Sequence, residues 1–348
     1  MPAPRRALPL READAIVREA CFRRFTAAVL RVERRGRVVF ERAYGSLDAC
    51  GAPATEVTTR FDLASLTKVV VASAALDLAA RGRLALDLPL VEILTEWRGD
   101  RAKARITPRM LLAHTSGMHS GANYLTLLRE NVTQYALARP LNAEPGAGVL
   151  YSDLGFIALG LALERIERCS LEEIVARFGD ALGLEATGFR PRANEPIPAT
   201  EADAWRGRVR AAVHDEKAHL MLGSAGHAGL FGSARDVARV TEATLAPLCG
   251  RGERGLAAPL AREAVREWGA DPVLRRGLGW ALKTTNENSC GTLLSHESFG
   301  HTGFTGTSAW ADPTRDISVV LLTNGVYYGR SDLRDLRAAV CDAVVKEV

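Results

Sequence analysis

The sequence predicts an α+β fold in which one antiparallel sheet is built from both chain ends and flanked by terminal helices, with a mostly helical lobe inserted. Three observations point there. Strand alternation runs from Thr26 to Tyr44 and returns between Gly277 and Asn324. Amphipathic helical periods fall at residues 11–24 and 332–346. From about residue 83 to 265, helix signals dominate and strand signals are sparse. The matching division puts residues 1–64 and 270–348 in the sheet lobe and 65–269 in the helical lobe.

Taken in order, residues 11–24 read as an amphipathic helix. Thr26–Arg34 and Arg37–Tyr44 alternate around Arg35-Gly36, the pattern of a β-hairpin. From Leu66 to Ala80 the residues are Ala, Val and Leu on nearly every side, which marks a buried helix, and Gly82 is placed to stop it. Thr107-Pro108 supplies a cap and first turn, and Ser170-Leu-Glu-Glu173 and Ser233-Ala-Arg-Asp236 read as capping boxes. Strands are expected at Gly277–Lys283, Thr307–Asp312 and Ile317–Asn324, the last two joined through Pro313-Thr-Arg. A helix from Asp332 to Lys346 then carries Leu333, Leu336, Val340 and Val344 on one stripe.

Composition narrows the function classes. The chain has 348 residues, 47% hydrophobic and 25% charged, enough for a large core, and its net charge of +4 is small for that length. Arg34-Arg35-Gly36-Arg37 and Arg206-Gly-Arg208-Val-Arg210 lack interleaved aromatic residues, so they read as a turn and a solvated loop, and no nucleic-acid partner is expected. No apolar run of about 18 residues exists for a membrane span. Charged residues from Arg11 to Arg18 interrupt any leader-like apolar stretch, which predicts a cytoplasmic location. The six cysteines are dispersed and read as reduced. There is no Gly-x-Gly-x-x-Gly, Walker loop or Gly-x-Ser-x-Gly elbow, and His296 and His301 are five apart rather than four, so neither metal nor cofactor is expected.

The chemistry is carried by a scarce residue. Only five of the 45 basic residues are lysines: Lys68, Lys103, Lys217, Lys283 and Lys346. Arginine stays protonated in proteins, whereas a desolvated lysine can give up its proton and act as a base. Ser65 lies three residues before Lys68, on the same helical face, as a nucleophile and its base require. The plainer alternative is a surface serine one turn from a solvated lysine. Tyr151-Ser152-Asp153 precedes a second apolar helix, where the phenol can relay a proton or simply pack, with Ser152 or Asp153 capping the helix. Phe299-Gly300-His301-Thr302-Gly303-Phe304 has glycines that suggest close backbone approach to a bound group; His301 is a catalytic candidate or a structural histidine.

These segments together resemble the serine β-lactamase and penicillin-binding-protein superfamily, in particular its class C β-lactamase-like members, which include esterases and D,D-peptidases. That family carries Ser-x-x-Lys, Tyr-x-Asn and Lys-or-His-Thr-Gly in this order, here Ser65–Lys68, Tyr151–Asp153 and His301–Gly303. Leu111-Leu-Ala-His114-Thr-Ser-Gly117, Val213-His-Asp-Glu216 and Gly226-His-Ala-Gly-Leu-Phe231 are similar to further family segments. The resemblance implies a β-lactamase/transpeptidase-like fold with the site between two lobes, Ser65 attacking an acyl carbonyl, and Lys68 taking its proton directly or through Tyr151, with the lysine's ammonium form disfavoured by burial. It implies an oxyanion hole from the backbone N–H groups of Ser65 and Phe304, substrate contacts at Asp153, Thr302 and Gly303, and a proton role for Tyr151 or His301.

Two departures shape the substrate expectation. Asp153 stands where the family has asparagine, and an ionised carboxylate cannot donate a hydrogen bond. His301 replaces a lysine, which predicts a more pH-sensitive activity. Both favour an esterase, amidase or D-amino-acid peptidase over a dedicated β-lactamase. The partner is a small acyl substrate: an ester, an amide or a β-lactam. The alternative is a catalytically silent ligand-sensing or scaffold module of the same fold.

Overall fold

The computed structural model describes residues 9–121, 124–252, 255–269, 275–284 and 288–348. Residues 1–8, which open the segment used for the localisation expectation, lie outside them. In chain order the elements are α1 (Arg11–Ala20), β1 (Ala27–Arg34), β2 (Arg37–Gly45), β3 (Phe61–Asp62), α2 (Leu66–Ala80), α3 (Pro108–Leu112), α4 (Tyr124–Leu127), α5 (Val132–Ala138), α6 (Asp153–Glu167) and α7 (Leu171–Leu182). They continue with β4 (Ala202–Asp203), β5 (Gly207–Arg208), α8 (Glu216–Leu220), β6 (Phe231–Gly232), α9 (Ala234–Leu248), α10 (Ala258–Val265), β7 (Ala281–Leu282), β8 (Phe299–Thr302), β9 (Ser308–Asp312), β10 (Ile317–Thr323) and α11 (Arg334–Glu347).

The sheet is antiparallel in the order β2-β1-β10-β9-β8-β7, so strands from the two ends of the chain meet at its centre. The register pairs Arg31 with Val320 and Val319 with Trp310. Both faces are buried. Leu30, Val32, Trp310, Val319 and Leu321 pack with Val17 of α1 and Val340 and Val344 of α11. Their neighbours Val29, Ala309, Ala311, Val320 and Leu322 join the larger core formed with α2, α6 and α7. Period-two side chains therefore serve two hydrophobic layers. The α+β class of the sequence analysis is the fold observed. We propose the same lobe division, 1–64 with 270–348 and 65–269 between, although α9 of the middle segment packs against β1, β9 and β10.

Several local expectations are corrected. α1 stops at Ala20, four residues early, because Phe22 adopts a positive φ of 61° and its N–H turns back to the Phe25 carbonyl. Of the strand expected at Gly277–Lys283, only Ala281 and Leu282 pair as a strand element. The N–H groups of Leu278 and Gly279 instead donate to the ends of α10 and α3, and a Cβ on Gly279 would meet that of Ala72 at 2.2 Å. The box at Ser170–Glu173 is complete, whereas at Ser233 the hydroxyl caps but Asp236 is recruited elsewhere, accepting from the N–H groups of residues 185 and 186 and from Thr187. All six cysteines are free thiols. Among the described residues, no helix is long and apolar enough to cross a membrane.

Candidate active site

α2 begins where β3 ends, and the turn between them presents Ser65 at the mouth of the buried helix. Ala64 holds a φ of 45°, a conformation that costs an L-residue about 1–2 kcal/mol. Asp62 fixes it by accepting from the Ala64 N–H at 2.8 Å. Thr305 and Thr307 donate to the carbonyls of Asp62 and Leu63, clamping the segment after β8 to the backbone leading into the serine.

Two side chains converge on Ser65 Oγ. Lys68 Nζ donates to it at 3.1 Å and the Tyr151 hydroxyl at 3.0 Å. Lys68 is completely buried, donates also to the His227 carbonyl at 3.1 Å, and forms an ion pair with Asp153 Oδ1 at 2.7 Å. Burial alone would favour the neutral amine, but Asp153 and Tyr151 outweigh it and hold the Lys68 pKa above the usual lysine value. The expectation of a readily deprotonated Lys68 is thereby overturned. Burial likewise opposes the Asp153 carboxylate, yet Lys68, His227 and Lys217 pull its pKa down to about 2.

Asp153 belongs to a closed circuit of charges. Its Oδ2 meets Lys217 Nζ at 3.2 Å, Lys217 meets Asp215 at 3.5 Å, and Asp215 meets His227 Nε2 at 2.7 Å. Asp153, Asp215 and His227 bring three potential metal-ligand atoms together, but Lys68 and Lys217 already supply cations to that cluster. Ser152, not Asp153, caps α6, accepting from the Gly155 N–H at 2.8 Å, while His114 Nδ1 accepts from the Ser152 N–H. That leaves the Asp153 side chain available to the site.

His301 stands on β8 with its ring 6.0 Å from that of Tyr151. Its Nδ1 is 2.8 Å from the Thr302 carbonyl, which can only accept, so the proton is on Nδ1 and Nε2 is a buried acceptor with no protein partner among the described residues. Burial, reinforced by Arg276 and Lys68, pushes its pKa well below the usual histidine value. The pH sensitivity expected of His301 near neutrality is therefore corrected. Among the described residues, neither the Ser65 nor the Phe304 N–H donates to a protein acceptor.

The groove has two arms that share Ser65, Tyr151 and Phe304. One, of about 500 Å³, is lined also by His301, Thr302, Gly303, Arg276 and Arg337. The other, of about 480 Å³, is lined by Asp153, Asp215 and Lys217. Arg276 is 8% exposed, lies 5.1 Å from the Tyr151 ring centre and, among the described residues, has no partner for Nε or Nη1. Arg337 donates to the Gly303 carbonyl at 2.9 Å, and its Nε has no partner among the described residues.

A family model described as Beta-lactamase matches residues 13–343. The chain belongs to the β-lactamase family. Membership makes this β-lactamase-family chain a serine hydrolase. It is 33% identical to Esterase EstB of Burkholderia gladioli, covering 95% of this chain and 93% of the relative, and 29% identical to an N-acetylmuramyl-L-alanine amidase of Bacillus subtilis (strain 168), covering 90% and 80%. The solved structure of EstCE1, a hydrolase with promiscuous acyltransferase activity, superposes with a TM-score of 0.79 at 22% identity, over 96% of this chain and 98% of that one.

In this β-lactamase-family chain the sequence-predicted Ser65, Lys68, Tyr151 and Asp153 come into direct contact, and His301, Thr302, Gly303 and Phe304 line the groove. Sequence reasoning gave no role to Lys217, Asp215, His227, Arg276 or Arg337, although Asp215 and His227 lie in two segments marked as similar to family segments. Lys217 had a usable signal in the scarcity of lysine. Lys68, Lys103 and Lys283 are buried, Lys217 is half-buried, and Lys346 alone is exposed. Arg276 had none, being one arginine among many.

Proposed function

We propose that this hydrolase cleaves small esters and amides through an acyl-enzyme at Ser65, with Tyr151 rather than Lys68 receiving the nucleophile's proton. The convergence of Lys68 Nζ and Tyr151 OH on Ser65 Oγ, at 3.1 and 3.0 Å, carries the reading. To activate Ser65, the Lys68–Tyr151 pair must hold one proton fewer than its full complement. Asp153 keeps the ammonium charged, so the phenolic oxygen is the acceptor.

Ser65 Oγ attacks the acyl carbon as its proton passes to Tyr151, and the tetrahedral oxyanion accepts from the N–H groups of Ser65 and Phe304. Collapse expels the leaving group, protonated by Tyr151. Water then gives a proton to Tyr151 and attacks the acyl carbon, and Ser65 recovers its proton. Lys68 Nζ at 4.9 Å and Arg276 at 5.1 Å from the Tyr151 ring centre support negative charge on the phenolic oxygen. Thr302 and Gly303 flank the substrate, and His301 Nε2 accepts from a substrate N–H or water. The N–H groups of Arg276 and Arg337 that find no partner among the described residues favour substrates that carry a carboxylate.

Hydrolysis of p-nitrophenyl butyrate, together with intact-mass detection of a fluorophosphonate adduct, tests the reading. Ser65→Ala is expected to abolish both. Tyr151→Phe should lower kcat by about 10²–10⁴ with KM little changed. An adduct on another serine, or full activity in Tyr151→Phe, overturns it. The silent-module alternative has no observation in its favour.

A further inference from the structure

The arm of the groove lined by Asp153, Asp215 and Lys217 holds an unspent donor. An ammonium has three N–H bonds. Those of Lys217 face Asp153 Oδ2 at 3.2 Å and Asp215 Oδ2 at 3.5 Å, which account for two, and among the described residues no third acceptor is in reach. The side chain is 12% exposed, and what surface remains lines the cavity beside Ser65, Tyr151 and Phe304.

The other polar groups on this wall are engaged, Arg330 in part. Asp153 can only accept, and Lys68 and Lys217 occupy its two oxygens. Asp215 accepts from the Ala218 N–H and is paired with His227 and Lys217. Arg330 gives Nε to Glu201 and one N–H of Nη2 to Glu216, and the His214 ring is paired with Glu201. Ser120 donates to the Tyr151 carbonyl and accepts from the Asp153 N–H. A substrate reaching into this arm therefore meets carboxylates that each already hold a cation and two cations with N–H groups to spare, of which Lys217 is the buried one, its side chain 12% exposed against 44% for Arg330.

We propose that Lys217 is a specificity residue whose third N–H binds an acceptor on the substrate, an amide carbonyl or a carboxylate oxygen. The proposal rests on the Ser65 hydrolase reading. Lys217 binds substrate while anchored to Asp153, so it joins recognition to the pair that keeps Lys68 charged.

The test compares Lys217→Met with Lys217→Gln on three esters: p-nitrophenyl butyrate without a second acceptor, p-nitrophenyl N-acetylglycinate with one on the acyl side, and the butyrate ester of N-acetylethanolamine with one on the alcohol side. Both variants remove the charge beside Asp153; only glutamine keeps N–H donors. Lys217→Met is expected to lower kcat/KM on one acceptor-bearing ester about 10- to 100-fold more than on p-nitrophenyl butyrate, the loss of one charge-assisted hydrogen bond, and Lys217→Gln to restore most of that ratio. Equal losses on all three esters in both variants, or no differential loss in Lys217→Met, overturn the proposal while wild-type turnover of p-nitrophenyl butyrate still upholds the hydrolase reading. Absence of that wild-type turnover, with no adduct on Ser65, sinks the hydrolase reading and this inference with it.

Discussion

Lys68 and Asp153 form a 2.7 Å ion pair in which the ammonium is completely buried and its partner carboxylate is held down to about pKa 2. The pair assigns charge before any substrate arrives, and it sits one hydrogen bond from the nucleophile.

Asp153→Asn would leave that ammonium buried without its counter-charge, a change that typically costs about 3–5 kcal/mol. In wild type the raised pKa of Lys68 keeps its stabilisation full up to the usual lysine value and loses it as pH rises through the folded one, whereas the unpaired buried amine of the variant is pushed below the usual value and costs less as pH rises toward it. The thermal midpoint of Asp153→Asn should therefore lie well below wild type at pH 7, with the gap narrowing toward pH 10. A gap independent of pH would show that the pair does not set the charge of Lys68.

His114 and His301 are both buried, with pKa values pushed well below the histidine range. Below about pH 6.5 the unfolded chain binds protons that the folded chain refuses, so stability is full above that pH and declines as pH falls. Thermal melts between pH 7.5 and 5 should show this decline, and His301→Asn should shallow it. Rate profiles should carry no His301 step near neutrality; a limb at about pH 6.5 that disappears in His301→Asn would contradict the assignment.

Gly303→Ala would place a Cβ 2.1 Å from Thr307 Oγ1 and 2.6 Å from the Leu63 carbonyl. Relief requires the backbone to move, and with it the Phe304 N–H. Because loss of one oxyanion donor typically lowers kcat by about 10²–10³, a fall of that size is expected in steady-state kinetics, with the fold retained by circular dichroism. Unchanged kcat would remove Phe304 from the hole.

Arg276→Met should distinguish substrates by charge. Against p-nitrophenyl hemisuccinate kcat/KM is expected to drop about tenfold or more beyond any change with p-nitrophenyl butyrate, since only the former carries a carboxylate for the Arg276 N–H groups that the substitution removes. Identical effects on the two esters would confine Arg276 to the Tyr151 ring.

What the sequence made legible was local. Ser65 and Lys68 are one turn apart, the helix that runs on to Ala80 is apolar on nearly every side, and the hairpin at Arg35-Gly36 is marked by its own residues. The order of Ser65–Lys68, Tyr151–Asp153 and His301–Gly303 pointed to side chains that the fold brings to one groove. What escaped was set by distant partners. Asp236 looks like half of a capping box until the loop at 185–187 claims it, and Gly277 and Gly279 look like part of a strand until the Ala264 carbonyl is found against the first and Ala72 against the second. The Lys68 pKa could not be read from burial alone, because its direction depends on Asp153, 85 positions away in the chain and brought alongside by α6.

The meeting of β1 with β10 at the middle of the sheet has a consequence for biosynthesis. The first hairpin leaves the ribosome with a long apolar edge whose natural partner is translated near the far end. Until then it is vulnerable to association with other nascent chains, so slowed elongation or premature termination upstream of Ile317 should yield insoluble polypeptide rather than a shortened enzyme.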